Sequence, residues 1–175
     1  MDNHTILNND KIPENKIIEF PINKRIQLSK HFNCQNFKCR CGKSNKILVN
    51  QHLIYLLEEI YSILNCSKIQ IINGYRCPGH DRELNNPFIN QHRLGNAVDI
   101  IFYDKNKKVI STKRISCLAQ DLGFSGISNI TNSYSSIHLD LGNTKNWKTS
   151  EFINGKDITD FYQYYNLTKS DVYNI

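Results

Sequence analysis

The chain has 175 residues, of which 39% are hydrophobic and 10% aromatic, and its formal net charge is +6. This length and composition predict a single small domain with a buried core. No stretch approaches the roughly 18 consecutive apolar residues of a membrane-spanning helix, so no membrane span is expected. The basic residues are scattered and are not interleaved with aromatic residues as in nucleic-acid-binding modules. We therefore expect a monomeric globular protein that binds no nucleic acid.

The N-terminal segment is polar and rich in Asn and Lys. It has neither the basic start nor the apolar stretch of a secretory signal peptide. We expect synthesis in a cytoplasm and, for any action at a cell wall, release by another route. Residues 1–25 are predicted to be a flexible arm, with ordered structure beginning near Ile26. Residues 26–32, IQLSKHF, follow as a short strand or an extended lead-in.

Apolar periodicity then predicts alternating helices and strands. Asn50 is placed to cap a helix whose apolar residues recur every three or four positions, and Gly123 is placed to end the second helix. The predicted helices are residues 51–64, 111–122 and a short one near 157–165. The predicted strands are residues 68–73, 96–104, 126–130 and 136–141, with a turn at 104–108 that begins a hairpin.

This order of elements predicts an α+β fold with a mostly antiparallel sheet and helices packed on it. The crossover helices that repeated parallel strand pairs require are mostly missing. We assign residues 1–25 to the arm, 26–147 to the domain and 148–175 to a C-terminal tail that contains the short helix.

The six cysteines are expected to be reduced, buried thiols, because no signal peptide directs the chain to an oxidising compartment. Cys34, Cys39 and Cys41 form a tight trio that could hold a structural metal ion. Their C-x4-C-x-C spacing lacks the paired C-x2-C of common zinc modules, and no fourth ligand is evident nearby. Both interpretations stay open.

Three residues have the side chains of a catalytic zinc site, which needs neutral imidazoles, a carboxylate and one open position. His92 is expected on a loop that folds back over the start of the strand that carries Asp99, with Gly95 easing the turn. His138 is expected on another strand of the same sheet, so that the site lies at the sheet. Because side chains alternate along a strand, Asp140 shares the face of His138.

Three ordered motifs resemble the zinc D-Ala-D-Ala carboxypeptidase family. They are G-Y-R-C-P-x-H at 74–80, Q-H-x-L-G-x-A-x-D-I at 91–100 and H-x-D-x-G at 138–142. The lead-in F-K-C-x-C-G at 37–42 is also similar, and the resemblance covers about residues 26–147. The family includes D,D-carboxypeptidases, D,D-dipeptidases and the L-alanyl-D-glutamate endopeptidases of phage lysins.

The resemblance implies that His92, Asp99 and His138 bind Zn²⁺. It implies that Arg76 faces the site, where a guanidinium can polarise a carbonyl or anchor a terminal carboxylate. Gln91 is expected to support the loop around His92 and to contribute to substrate binding.

Two further residues of these motifs are not expected to bind the metal ion or the substrate directly. His80 either supports the metal site from outside its ligand set or caps a turn. Cys77 is expected to be a packing residue, because the sequence places no activating base beside it.

The last motif departs from the pattern of many family members, which carry an acid three residues before the final zinc histidine. Here that position is Ser135, which cannot serve as a general base. Asp140 is the nearest carboxylate to His138 by spacing, and it either acts as the base or orients His138.

The sequence thus predicts a hydrolase, a zinc metallopeptidase of the carboxypeptidase or endolysin-like endopeptidase type. Its expected substrate is a peptidoglycan stem peptide of the cell wall, cut at or near a D-amino acid. The alternative is a zinc-bound but inactive module that binds the wall or another protein.

Overall fold

The computed structural model describes residues 12–83, 90–130, 135–148 and 156–174. The strands are β1 Ile17–Pro21, β2 Lys46–Asn50, β3 Lys68–Asn73, β4 Ala97–Tyr103, β5 Gly126–Ile130, β6 Ser136–Asp140 and β7 Asn146–Lys148. The helices are α1 Gln51–Ile63, α2 Pro78–Glu83, α3 Gln91–Leu94, α4 Thr112–Asp121, α5 Phe161–Tyr165 and α6 Lys169–Tyr173, with a 3-10 helix at Cys34–Phe37. This small α+β fold confirms the predicted class.

Two compact units make up the fold. The first consists of residues 1–58 and 73–98, and the second of residues 59–72 and 99–175. An antiparallel two-stranded sheet, β1 with β2, lies in the first unit. The other sheet has five strands in the order β3-β4-β6-β5-β7. It is mixed, because β5 pairs antiparallel with β6 and parallel with β7.

Ordered structure begins earlier than the sequence predicted. β1 lies inside the segment expected to be a flexible arm, and it pairs with β2 from Ile17 opposite Asn50 to Pro21 opposite Lys46. Phe20 is buried and anchors the strand. The prediction of little structure up to residue 25 was therefore wrong for β1, because a five-residue strand with one anchor leaves little apolar signal in a polar segment.

Helix α1 begins as predicted, with Asn50 as its cap. The Asn50 side-chain oxygen accepts a hydrogen bond from the His52 N–H at 2.9 Å, which satisfies one of the free donors of the first turn. Asn50 also joins β2 to the start of β4. Its backbone N–H donates to the Gly95 carbonyl at 2.9 Å, and its side-chain amide donates to Asn96 Oδ1 at 2.9 Å.

The second unit extends through the predicted C-terminal tail. α4 contacts α5 and α6, and Phe161 of α5 and Val172 of α6 are fully buried. The Arg114 guanidinium donates to the carbonyls of Val172, at 2.6 Å, and Asn174, at 3.1 Å. α5 corresponds to the helix predicted near residues 157–165, whereas α6 and β7 were not predicted.

Two predicted extended segments are shorter than expected. The segment predicted at residues 26–32 has an isolated bridge from Gln27 to Asn33 and no longer strand, and the predicted hairpin after β4 contains one bridge between Tyr103 and Val109. Among the described residues, no helix is both long and apolar enough to cross a bilayer.

Candidate metal centre

His92 lies on the short helix α3 rather than in the predicted loop. The helix begins at Asn90, whose side-chain oxygen accepts from the Arg93 N–H at 3.0 Å. It ends at Gly95, which has a left-handed φ of 77°. A Cβ at position 95 would lie 2.7 Å from the backbone carbon of Leu48. Both the conformation and the close approach therefore require the glycine that was predicted to ease this turn.

The orientation of His92 is fixed by a backbone carbonyl. The buried imidazole places Nδ1 2.8 Å from the Gly74 oxygen. A carbonyl only accepts, so Nδ1 donates and Nε2 of the neutral ring bears the lone pair that a metal requires. Gly74 approaches Phe37 so closely that a Cβ would lie 2.6 Å from the Phe37 Cα. The glycine of the G-Y-R motif therefore sets the position of the carbonyl that orients His92.

Asp99 and His138 meet on the adjacent strands β4 and β6. His138 Nδ1 lies 2.9 Å from Asp99 Oδ1, and Asp99 is 1% exposed. The other ring nitrogen, Nε2, lies 3.0 Å from Asp140 Oδ2. Leu139, between His138 and Asp140, is fully buried. His138 and Asp140 thus share one face of β6, as the alternation predicted.

The His138 ring lies between two carboxylates, and this limits where its protons can be. A neutral imidazole has one N–H. If Nε2 donates to Asp140, the lone pair of Nδ1 points at Asp99, and two electron-rich atoms face each other at 2.9 Å. A second proton or a shared cation resolves that repulsion. A carboxylate that orients a metal-bound histidine from its far side is a recurrent feature of zinc sites.

The three predicted ligands come together. His92, Asp99 and His138 each offer one ligand atom, and these atoms lie within 4.8 Å of one another. Two imidazole nitrogens and one carboxylate oxygen are the ligand types of a catalytic zinc site, in which a fourth position stays open for water or substrate. This donor set fits zinc.

Gly126, which was not among the residues predicted to form the site, lies under Asp140. Gly126 of β5 is opposite Asp140 of β6 in the sheet register, and a Cβ at this position would lie 1.8 Å from Asp140 Oδ2. Only glycine leaves room for the carboxylate. A glycine at the start of a predicted strand is itself a signal of close approach by a neighbouring group.

Arg76 and Gln91 flank His92 along the chain. The Arg76 backbone N–H donates to the His92 carbonyl at 3.1 Å, which holds the G-Y-R segment against α3. Gln91 Oε1 accepts from the Asn96 side chain at 3.1 Å, so Gln91 supports the turn around His92. Ser135, at the position of the missing acid, is exposed and has a φ of 49°.

A second group of metal-ligand side chains lies in the first unit. All six cysteines are free thiols, as expected. Cys39, Cys41 and Cys77 converge, whereas Cys34 is apart from them, with its sulfur 3.3 Å from the Lys24 carbonyl. Of the three cysteines that could have held a metal ion, Cys34 therefore lies apart from the other two. Cys77, which was assigned to packing, takes its place, because a fold brings distant residues together in a way that local spacing does not reveal.

The thiols of this second group differ in acidity. Burial raises the pKa of the Cys39 thiol to about 11. The backbone N–H of Lys43 points at the Cys41 sulfur and lowers the pKa of that thiol. Two neighbouring thiols are thus held in different electrostatic surroundings.

Comparison with known proteins identifies the family. The family model described as Peptidase M15 matches residues 30–140, which contain His92, Asp99 and His138. No curated protein and no solved structure matches the chain. The match spans more than half of the sequence and agrees with the motifs at 74–80, 91–100 and 138–142. The chain belongs to the peptidase M15 family, the zinc D-Ala-D-Ala carboxypeptidase family of metallopeptidases.

Proposed function

We propose that the protein is a zinc-dependent peptidase that hydrolyses peptidoglycan stem peptides at or near a D-amino acid. The observation that carries this proposal is the convergence of His92, Asp99 and His138, with ligand atoms within 4.8 Å of one another. Three nitrogen and oxygen ligands are typical of catalytic zinc, whereas structural zinc is closed by four.

The side chains that would bind the zinc, and the carbonyl that orients one of them, are already in place without substrate. His92 Nε2, an Asp99 oxygen and a His138 nitrogen would hold the zinc. Zinc held in this way supplies Lewis acidity, which polarises an amide carbonyl and makes water nucleophilic near neutral pH. The Gly74 carbonyl accepts a hydrogen bond from His92 Nδ1, which orients the ring and leaves Nε2 for the metal.

Asp140 is proposed to position His138. Its Oδ2 lies 3.0 Å from His138 Nε2, and its Oδ1 accepts from the Gly142 N–H at 2.7 Å. Both oxygens are therefore engaged by neighbouring residues, which favours orientation of the histidine over proton transfer to a leaving amine. A general base would need a carboxylate oxygen directed at the reacting water.

Arg76 is proposed to bind the substrate. Its backbone is tied to His92, so its side chain starts beside the ligand group. A guanidinium there can pair with the terminal carboxylate of a D-amino acid or with the oxyanion that develops on the scissile carbonyl. The two roles differ kinetically, because loss of a ground-state anchor raises KM while loss of oxyanion stabilisation lowers kcat. Gln91 is proposed to reach the substrate only indirectly, through the turn that it supports.

The substrate class is also favoured by charge. The chain has a net charge of +6, which attracts it to an anionic wall polymer over a range set by the ionic strength. We propose that it acts at the cell wall as a monomer.

A second candidate function is a zinc-bound module that binds the wall or a protein without cutting it. The observation that favours it is Ser135, an exposed hydroxyl where many family members have the acid. Because Asp140 is engaged by His138 and Gly142, it does not simply replace that acid.

Digestion of purified peptidoglycan and of defined peptides with D-amino acids separates the two functions. The peptidase should release new amino groups, and both a chelator and His138→Ala should abolish the release, with zinc restoring activity only in the wild type. His52→Ala is the matched control, since this histidine lies on α1 outside the ligand group. Tight zinc binding without turnover on any of these substrates would instead establish the binding module.

A further inference from the structure

A histidine lies beside the second group, which consists of Cys39, Cys41 and Cys77. The Cys39 sulfur lies 3.3 Å from the Cys41 sulfur and 3.3 Å from His80 Nδ1. The Cys41 sulfur lies 3.4 Å from that of Cys77. The four side chains come from two segments, the turn after the 3-10 helix and the start of α2. We propose that Cys39, Cys41, Cys77 and His80 form a second, structural zinc site.

The spacing of these atoms fits a tetrahedral ion better than a disulfide. Zinc with bonds of about 2.3 Å to sulfur and about 2.0 Å to nitrogen keeps its ligands roughly 3.5 to 3.8 Å apart. The distances here, 3.3 to 3.4 Å, are close to that range. A disulfide requires sulfurs about 2.05 Å apart, and it would use two of the three thiols and leave the third thiol and the imidazole with no role.

Backbone donors around the sulfurs also favour thiolates. The Cys77 N–H points at the Cys39 sulfur at 3.3 Å, and the Lys43 N–H points at the Cys41 sulfur at 3.4 Å. Gly42 has a φ of 70°, a conformation that lets the chain turn back over Cys41 at little steric cost. An N–H bond to a thiolate is stronger than one to a thiol, because the acceptor is charged.

The site would be closed, which distinguishes it from the catalytic group. Three sulfurs and one imidazole supply four ligands, and such sets hold structural zinc. Cys39 and Cys77 are buried, at 3% and 8% exposure. An ion there would have no open position for water, so it would stabilise the fold without taking part in hydrolysis.

The consequence for the active site follows from the chain connection. The Tyr75 N–H donates to the Phe37 carbonyl at 2.8 Å, and two residues further along each segment the Cys77 N–H points at the Cys39 sulfur at 3.3 Å. Zinc would thus fasten the G-Y-R-C-P segment at its C-terminal end. Arg76 lies between that fastening and Gly74, whose carbonyl orients His92. The cysteine site would therefore position both groups without touching substrate.

Metal analysis of the full-length protein tests the proposal. Protein purified under reducing conditions should contain about two zinc ions per chain. Cys41→Ser should contain about one and keep the zinc of the first group, while Asp99→Asn should lose that other ion. Cys34→Ser and Cys117→Ser are matched controls, since these thiols lie outside the group and should leave the zinc content unchanged. Unchanged zinc content in Cys41→Ser would overturn the proposal, and so would iron in place of zinc.

Two measurements on the wild-type protein cover the case in which Cys41→Ser does not fold. A mercurial thiol reagent should release about one zinc per chain, because it competes only for sulfur ligands. Cobalt substitution should give a thiolate-to-cobalt charge-transfer band, which a site of two histidines and an aspartate cannot produce. Absence of this band, or a Cys41–Cys77 disulfide found by mass spectrometry in the reduced preparation, would contradict the proposal. Loss of activity alone would bear on the proposed peptidase function and not on this site.

Discussion

The two groups of ligand side chains differ in their ligand atoms and in the elements that carry them. His92, Asp99 and His138 offer three nitrogen and oxygen atoms from one short helix and two adjacent strands. The proposed cysteine site would use the three sulfurs of Cys39, Cys41 and Cys77 and the imidazole of His80, from turns and the start of a helix. Zinc accepts both sets, because it is a borderline-soft ion that binds sulfur, nitrogen and oxygen ligands. The number of ligands and the rigidity of what carries them therefore decide whether the ion is available to substrate.

The two groups also depend on different features of the fold. The first group depends on sheet register and on glycines that leave space for its carbonyl and carboxylate supports. The cysteine group depends on turn geometry and on the chain being folded back at Gly42. A change in the group of His92, Asp99 and His138 should therefore alter the rate of hydrolysis. A change in the cysteine group should alter the free energy of unfolding.

The largest expected effect is that of Asp99→Asn on hydrolysis. The amide is nearly the same size as the carboxylate but is a poor zinc ligand, so kcat/KM should fall by about 10³-fold or more while the free energy of unfolding changes little. Steady-state kinetics and thermal denaturation measure the two quantities. Asp157→Asn, at an exposed carboxylate, is the control. Retained activity in Asp99→Asn would remove Asp99 from the ligand set.

Cys41→Ser should have the reverse profile. Loss of a sulfur ligand should lower the free energy of unfolding by more than about 3 kcal/mol, because structural zinc contributes directly to folding. Denaturant titration with and without zinc measures the change. If Cys41→Ser instead had nearly the wild-type free energy of unfolding, the proposed difference between the two groups would be contradicted. Cys34→Ser provides the comparison for simple loss of a buried thiol outside the group.

Asp140→Asn should give an intermediate effect. The variant retains an oxygen that can accept from the Gly142 N–H, but it no longer places a negative charge beside His138. We expect zinc affinity or kcat/KM to fall by about 10 to 100-fold, as for other carboxylates that support metal-bound histidines. An unchanged acidic limb in the pH–rate profile would agree with positioning. Disappearance of that limb would identify Asp140 as the general base.

The smallest effect concerns Asp121 in the second unit, which lies outside both ligand groups. Burial by itself would raise the pKa of this carboxyl, but hydrogen bonds from Lys169, Tyr162 and Tyr173 outweigh burial and hold the pKa below its ordinary value of 3.8. A depressed pKa stabilises the folded state above the unfolded pKa, and that stabilisation is lost as the pH falls through the folded pKa.

Asp121→Asn should therefore lower the free energy of unfolding by roughly 1 kcal/mol at neutral pH. The difference in free energy of unfolding between Asp121→Asn and the wild type should disappear as the pH falls below the ordinary pKa of a carboxyl group. Urea titrations at several pH values measure it. A gap that stays constant with pH would mean that the charge of Asp121 is not involved. Zinc content and activity should match the wild type throughout.

Much of the fold and of the first ligand group could be predicted from the sequence, because their signals are local. The α+β class, helix α1 with its Asn50 cap, and strands β3 to β6 follow from apolar periodicity and capping residues. The pairing of His138 with Asp140 follows from alternation along one strand. The three motifs are ordered and specific, so they also indicated the family.

The features that could not be predicted depend on weak local signals or on contacts between residues far apart in sequence. β1 has one buried anchor in a polar segment, and β7 has three residues, so neither gives a strong periodic signal. The cysteine group could not be predicted because Cys77 and His80 follow Cys39 by about forty residues, and only the fold shows that they meet. Gly126 was missed for the same reason, since its neighbour lies on another strand.

The burial of Phe161 and Val172 has a consequence for the order in which the protein is made. These residues belong to α5 and α6, which contact α4, and they leave the ribosome long after α4 does. The second unit therefore completes its core only after synthesis has passed Val172, whereas β1 and β2 can pair much earlier. A ribosome stalled before α6 should expose a nascent chain in which α4 is still accessible to chaperones.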